Sequence, residues 1–120
     1  HRHSSAASDV YKRQQLLRLN SVPTAIFASN DEMAAGVMTA AMKRNLVVPD
    51  DISVAGFDDS PTATMIWPQL TTVRQPIDEM SKIAISMLVS QLRNREVASR
   101  ETKVEYQLIV RNSTSSLKQS

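Results

Sequence analysis

The 120-residue chain is 42% apolar but only 4% aromatic, so a single core would have to be filled by Ala, Val, Ile, Leu and Met. It has no cysteine, which excludes a disulfide framework and a thiolate metal site, and no apolar run approaches the roughly 20 residues that cross a bilayer. The net charge of +2 arises near the amino end: setting aside Arg2, Lys12, Arg13 and Asp9 leaves 11 of the 14 basic and 11 of the 12 acidic residues, a neutral body without the basic stripe that phosphate contacts require.

In chain order, residues 1–13 (HRHSSAASDVYKR) have no apolar periodicity and read as a disordered or artefactual leader. His1 and His3 lack the preorganised surroundings that a metal site needs, so no metal is expected there. QQLLRLN (14–20) reads as the last turns of a helix, stopped at Pro23. TAIFA (24–28) reads as a strand buried on both faces. A helix follows, with Met33, Ala34, Val37, Met38, Ala41 and Met42 at steps of three to four. Ser29 or Asn30 can cap it, Ser29 and Glu32 have the capping-box spacing, and Asn45 stands where a left-handed residue would stop it. Its methionines are core filler.

Pro49-Asp50-Asp51 makes a turn, and ISVAGF (52–57) is a second apolar strand. Strand, helix and strand in this spacing form a right-handed βαβ unit, the element of a parallel sheet. A loop is expected over 58–69, a third strand at LTTV (70–73), and a stiff connector at 74–76. Residues 77–92 read as a second amphipathic helix, with Ile77, Met80, Ala84, Met87, Leu88 and Leu92 on one face. After a charged loop over 93–103, residues 104–111 alternate with period two, as an edge or half-exposed strand does. The tail from Asn112 is polar and expected to fray.

Two polar clusters follow the two clearest strands: Ser29-Asn30-Asp31 and Asp58-Asp59. In open parallel sheets ligands bind outside the carboxyl ends of the strands. An Asn supplies two donors and an acceptor and an Asp a strong acceptor, which suits sugars, nucleosides or amine-bearing ligands. The bland alternative is that Asn30 or Asp31 only caps the helix and Asp58 only makes a turn. No catalytic residue is expected, since the only histidines lie in the leader. Gly36 and Gly56 do not form a phosphate loop, so no cofactor is expected either.

PTAIFASNDEMAAGVMTAAMKRN (23–45), VVPDDISVAGFDDSP (47–61) and WPQLTTVRQP (67–76) together resemble the C-terminal part of the effector-binding domain of LacI/GalR-family transcriptional regulators. The likeness runs from about Gln14 to Ser113; Asn45 departs from it, where such proteins usually have Gly, and the leader does not share it. The resemblance implies an α/β, parallel-sheet, periplasmic-binding-protein-like sensing domain, of which residues 14–113 would be the C-terminal portion and 114–120 a polar tail. It implies a sugar or nucleoside effector facing Asn30 and Asp58, with Gln75 nearby in a crossover segment. It also implies a homodimer surface at Ala35, Thr39, Ile66 and Trp67. DNA would be bound only by a helix-turn-helix lying outside this stretch, in a cytoplasmic repressor with no membrane partner. A periplasmic sugar-binding protein of the same fold is the alternative. Two further expectations follow. Asn30 and Asp58 should share one concavity, and the apolar face of the 77–92 helix should be left partly in water.

Overall fold

The computed structural model describes residues 12–15, 17, 21–94 and 101–118. The expected leader falls outside them as far as residue 11, whereas Lys12 and Arg13 are helical. The chain forms two compact units. The first comprises the chain up to Arg74 and again from Leu108; the second runs from Gln75 to Gln107.

In the first unit, strand β1 (Ala25–Phe27), helix α1 (Asp31–Lys43) and strand β2 (Ser53–Ala55) form the expected βαβ element. The strands are parallel and in register, with Ala25, Ile26 and Phe27 opposite Ser53, Val54 and Ala55. A parallel bridge from Ala55 to Thr71 brings strand β3 (Thr72–Arg74) alongside β2. Strand β4 (Gln107–Ile109), part of this unit from Leu108 on, pairs with β3. The expected loop over 58–69 contains one short helix, α2 (Thr62–Met65).

Helix α1 buries Ala34, Val37, Met38 and Ala41, one turn apart or adjacent, against the strands. Ala28, Val54, Ala63 and Leu70 complete that core, and Ile52 packs with Ala41 and Leu17 beside it. Ile52, Val54 and Leu70 have no exposed surface, and each such side chain contributes about 1.5–3 kcal/mol by leaving water. The buried stripe is narrower than periodicity suggests, because Met42 is 69% exposed. Helix α1 ends as the sequence implies. Asn45 takes φ 59°, the Asn45 N–H donates to the Met42 carbonyl and the Leu46 N–H to that of Ala41. That is the Schellman pattern, which needs a residue tolerant of the left-handed region.

Four expectations are corrected. β1 is not covered on both faces: Ala25 and Phe27 are exposed, Phe27 by 66%. β3 begins two residues late, because the Leu70 N–H turns to the Ala63 carbonyl and only Thr71 reaches Ala55. β4 is shorter than 104–111, because the Arg111 N–H goes to the Thr71 hydroxyl, and those of Asn112 and Ser113 both go to the Gln69 carbonyl. Finally, the stretch from Asn112 to Ser115 does not fray. Ser113 is fully buried, its N–H and hydroxyl reach Gln69 and Val54, and its Oγ accepts from the Thr71 N–H at 2.8 Å. Thr114 bonds Thr71, and Ser115 bonds Ser53. The polar character that suggests a loose tail instead satisfies strand-edge groups that would otherwise be orphaned.

The second unit is built on helix α3 (Ile77–Leu92), which begins after Pro76. None of its residues is buried. On the expected face, Ile77, Met80, Leu88 and Leu92 are 56%, 38%, 51% and 75% exposed. The stripe is left largely in water, as the sequence reading expects. Met87 of that face is half-buried, with the Thr102 hydroxyl against its sulfur, as is Ile83 beside it.

Candidate ligand site at the strand ends

Asn30 and Asp58 each stand three residues beyond the paired residues Phe27 and Ala55, so they follow the carboxyl ends of adjacent, in-register strands. Asn30 is extended (φ −153°, ψ 173°), and its Oδ1 accepts from the Met33 N–H at 2.8 Å. It is therefore the N-cap of α1. Only its carbonyl side is used; its amide nitrogen makes no hydrogen bond among the described residues. The capping box expected between Ser29 and Glu32 does not form. The Glu32 carboxylate reaches across to the hydroxyls of Ser60 and Thr62, at 2.8 and 3.2 Å. The Ser60 hydrogen bond leads the effects that hold the Glu32 carboxyl below its ordinary range.

Asp31 lies beneath this rim with no exposed surface. One carboxylate oxygen accepts from the Ser60 N–H and the other from the Thr72 hydroxyl, both at 2.6 Å. It thereby joins the start of α1 to the turn after β2 and to β3. Gly56 leaves room for it: a Cβ there would run into the Asp31 carboxylate.

Asp58 and Asp59 both have positive φ, 114° and 56°. Non-glycine residues there cost roughly 1–3 kcal/mol each and persist only where surrounding contacts fix them. The Asp58 side chain is exposed, and its N–H donates to the Val73 carbonyl at 2.9 Å. Asp59 turns inward, its side chain only 10% exposed. Its two oxygens accept separately from Arg74 Nε and Arg111 Nη2, each at 2.7 Å. Burial pushes the Asp59 carboxyl up, but the two guanidinium groups outweigh it and hold it below the usual carboxylate range. The adjacent aspartates thus have opposite surroundings, one facing solvent and one locked to two arginines.

Gln75 opens the second unit, where its carbonyl accepts from the Ile77 N–H at 2.9 Å; Asn30 and Asp58 belong to the first. Of the expected dimer surface, Ala35 is half-buried and bonded through its carbonyl to the exposed Thr39 hydroxyl, and Ile66 packs on the core. Trp67 is 73% exposed and shares a concavity of about 320 Å³ with Met38, Met42, Val47 and Pro68. Among the described residues no group of three or more His, Asp or Glu could hold a metal ion, and no helix is long and apolar enough to cross a membrane. Sequence reasoning placed Asp31 in a strand-end cluster but not its buried role, and it missed Thr72, Arg74 and Arg111. A lone Asp in a helix's first turn and single arginines at strand ends are common, and their convergence is visible only in three dimensions.

A parallel βαβ sheet with polar residues at its carboxyl ends is the architecture of a small-ligand-binding α/β domain. The chain belongs to the periplasmic binding protein-like domain family, whose model matches residues 1–114. Its relatives are LacI-type regulators, and it corresponds to part of their ligand-binding region. The HTH-type transcriptional repressor CytR of Escherichia coli K12 is 38% identical over 104 residues, 87% of this chain and 30% of the relative. A LacI family transcriptional regulator from Lactobacillus casei, solved with bound sucrose, superposes with a TM-score of 0.74 at 35% identity, covering 92% of this chain and 41% of that one. The dimeric Lac repressor with an 11-residue C-terminal deletion gives 0.83 at 31% identity, covering 95% and 42%. The chain thus spans about a third of the length of the curated relatives it matches.

Proposed function

We propose that this chain supplies one wall of the effector site of a LacI-type transcription regulator. Asn30 and Asp58 contact the effector, Gln75 contributes from the crossover segment, and no residue acts catalytically. The effector is a polyhydroxylated small molecule, a sugar or nucleoside. Asn30 offers its amide N–H groups and Asp58 its carboxylate, and a hydroxyl-rich ligand both donates and accepts. The observation that carries this reading is the placement of both side chains just past adjacent, in-register strand ends. Sucrose bound to the Lactobacillus casei relative supports the ligand class. In the parent regulator, a cytoplasmic protein, DNA is bound by a separate helix-turn-helix. A second copy docks on the surface formed by Ala35, Thr39, Ile66 and Trp67, which the exposed Trp67 and Met42 and the dimeric Lac repressor support.

Titrating the ¹⁵N-labelled chain with sucrose and with adenosine tests the site. Saturable shifts centred on Asn30 and Asp58, lost in Asn30→Ala and Asp58→Ala, are expected with at least one of the two. Shifts confined to other surfaces, or none with either probe, would refute it.

A further inference from the structure

We propose that Asp59 is the positioning residue of this site, holding the neighbouring Asp58 carboxylate in its ligand-facing orientation through Arg74 and Arg111. The inference rests on the reading of Asp58 as a ligand contact. Asp58 and Asp59 share a turn of two successive residues with positive φ, a conformation that non-glycine residues hold only when neighbouring groups over-determine it. Four contacts do so. The Asp58 N–H is held by the Val73 carbonyl, the Asp59 N–H by the Thr72 hydroxyl at 3.3 Å, and the Asp59 carboxylate by one arginine on each oxygen.

The two arginines are not equivalent. Arg111 is 13% exposed and is itself fixed, its Nη1 donating to the Leu70 carbonyl and its backbone N–H to the Thr71 hydroxyl. Arg74 is 51% exposed and ends β3. Arg111 therefore supplies the rigid half of the clamp and Arg74 an outer, partly screened half. Because a carboxylate accepts from both at once, Asp59 pins the turn to β3 and to the chain beyond β4 together. An amide at this position carries no charge and turns an NH2 donor toward one of the two guanidinium groups, so it cannot keep one arginine on each side. The neighbouring Asp58 is exposed, on a backbone that these contacts fix.

The test follows amide exchange in the full 120-residue chain for wild type, Asp59→Asn and Arg74→Gln, with sucrose and adenosine affinity measured in parallel. In Asp59→Asn, exchange of the Asp58 N–H should accelerate about tenfold, the effect of losing one charge-assisted hydrogen bond. The Val54 N–H, bonded to the Ser113 carbonyl, should be unchanged. Arg74→Gln, at an exposed position that does not threaten folding, should shift the same amide in the same direction by less. Probe affinity should fall in the same order, with at most a modest fall in melting temperature from the lost ion pairs. Equal acceleration at Val54 would make Asp59 a general stabiliser and overturn the inference, as would an Asp58 amide that neither substitution moves. A wild-type chain that binds neither probe would sink the ligand-site reading, while the exchange comparison would still decide whether Asp59 holds the turn.

Discussion

Asp31 has no atom in contact with solvent, yet it sits between two donors from segments about thirty and forty positions away, the Ser60 N–H and the Thr72 hydroxyl. Removing the carboxylate would leave both donors buried and unmatched, at about 1–3 kcal/mol each. Asp31→Ala should therefore lower the unfolding free energy by about 2–5 kcal/mol in urea titrations, with Asp31→Asn losing less; a loss below about 0.5 kcal/mol would show that these bonds are dispensable. The acid side of the stability curve belongs to Asp59 and Glu32. Both carboxyls are held below their ordinary values in the folded chain. Each therefore stabilises the fold above its unfolded pKa, near 4, and that contribution is lost as pH falls through the lower folded value. Stability should be flat from neutrality to about pH 5 and fall below pH 4, and Asp59→Asn should blunt the fall. A fall already evident at pH 6 would point to another group. At this scale the sequence exposes what is local. Asn30 as a cap is readable from its position before α1, whereas the partners of Asp31 and Asp59 come from β3 and the chain beyond β4, where no spacing rule reaches.

At the scale of elements, α1 was legible nearly throughout, since its 3.6-residue period, its cap and its Asn45 stop all agree. The strands were legible in kind but not in extent, because their ends are set by Gln69, Thr71 and Ser113 rather than by their own residues. Ser113 is the clearest case: from composition it belongs to a loose tail, and in the fold its hydroxyl and backbone serve Val54, Gln69 and Thr71. Ser113→Ala should cost about 1–3 kcal/mol by leaving the Thr71 N–H and the Val54 carbonyl without that partner. The loss should appear in the denaturation midpoint, with little change in m, if the substitution leaves the fold intact. Helix α3 taught the opposite lesson. Its apolar period is real, but periodicity records which residues seek cover and not whether cover is at hand.

Across the whole molecule, large apolar side chains remain in water on both units. They include Leu88 and Leu92 on α3, Tyr106, Leu108 and Val110 around β4, Met65 on α2, and Met42 and Trp67 at the 320 Å³ concavity. Exposed apolar surface of this kind seeks a partner, since each 100 Å² buried is worth about 2.5 kcal/mol before the cost of association. The isolated chain should self-associate, with a sedimentation coefficient rising with concentration in the micromolar range. Trp67→Glu and Leu88→Lys, at the two separate surfaces, should each lower that tendency. A monomer at all concentrations, with a sharp two-state melt, would contradict this.

The strap through Ser113 also fixes an order of events in time. A ribosome releases β1, α1, β2 and β3 first. The Thr71 N–H and the Val54 carbonyl must then wait for a hydroxyl 42 and 59 positions further on. Everything in the second unit is made in that interval. The entropy of closing so long an excursion grows only logarithmically with its length, so the excursion itself adds little to the final balance. It does add delay, because contacts of high sequence separation are the slow ones to form. Until residue 113 emerges, the nascent first unit carries a half-closed sheet edge, and its residence in that state lengthens with every residue added to the second.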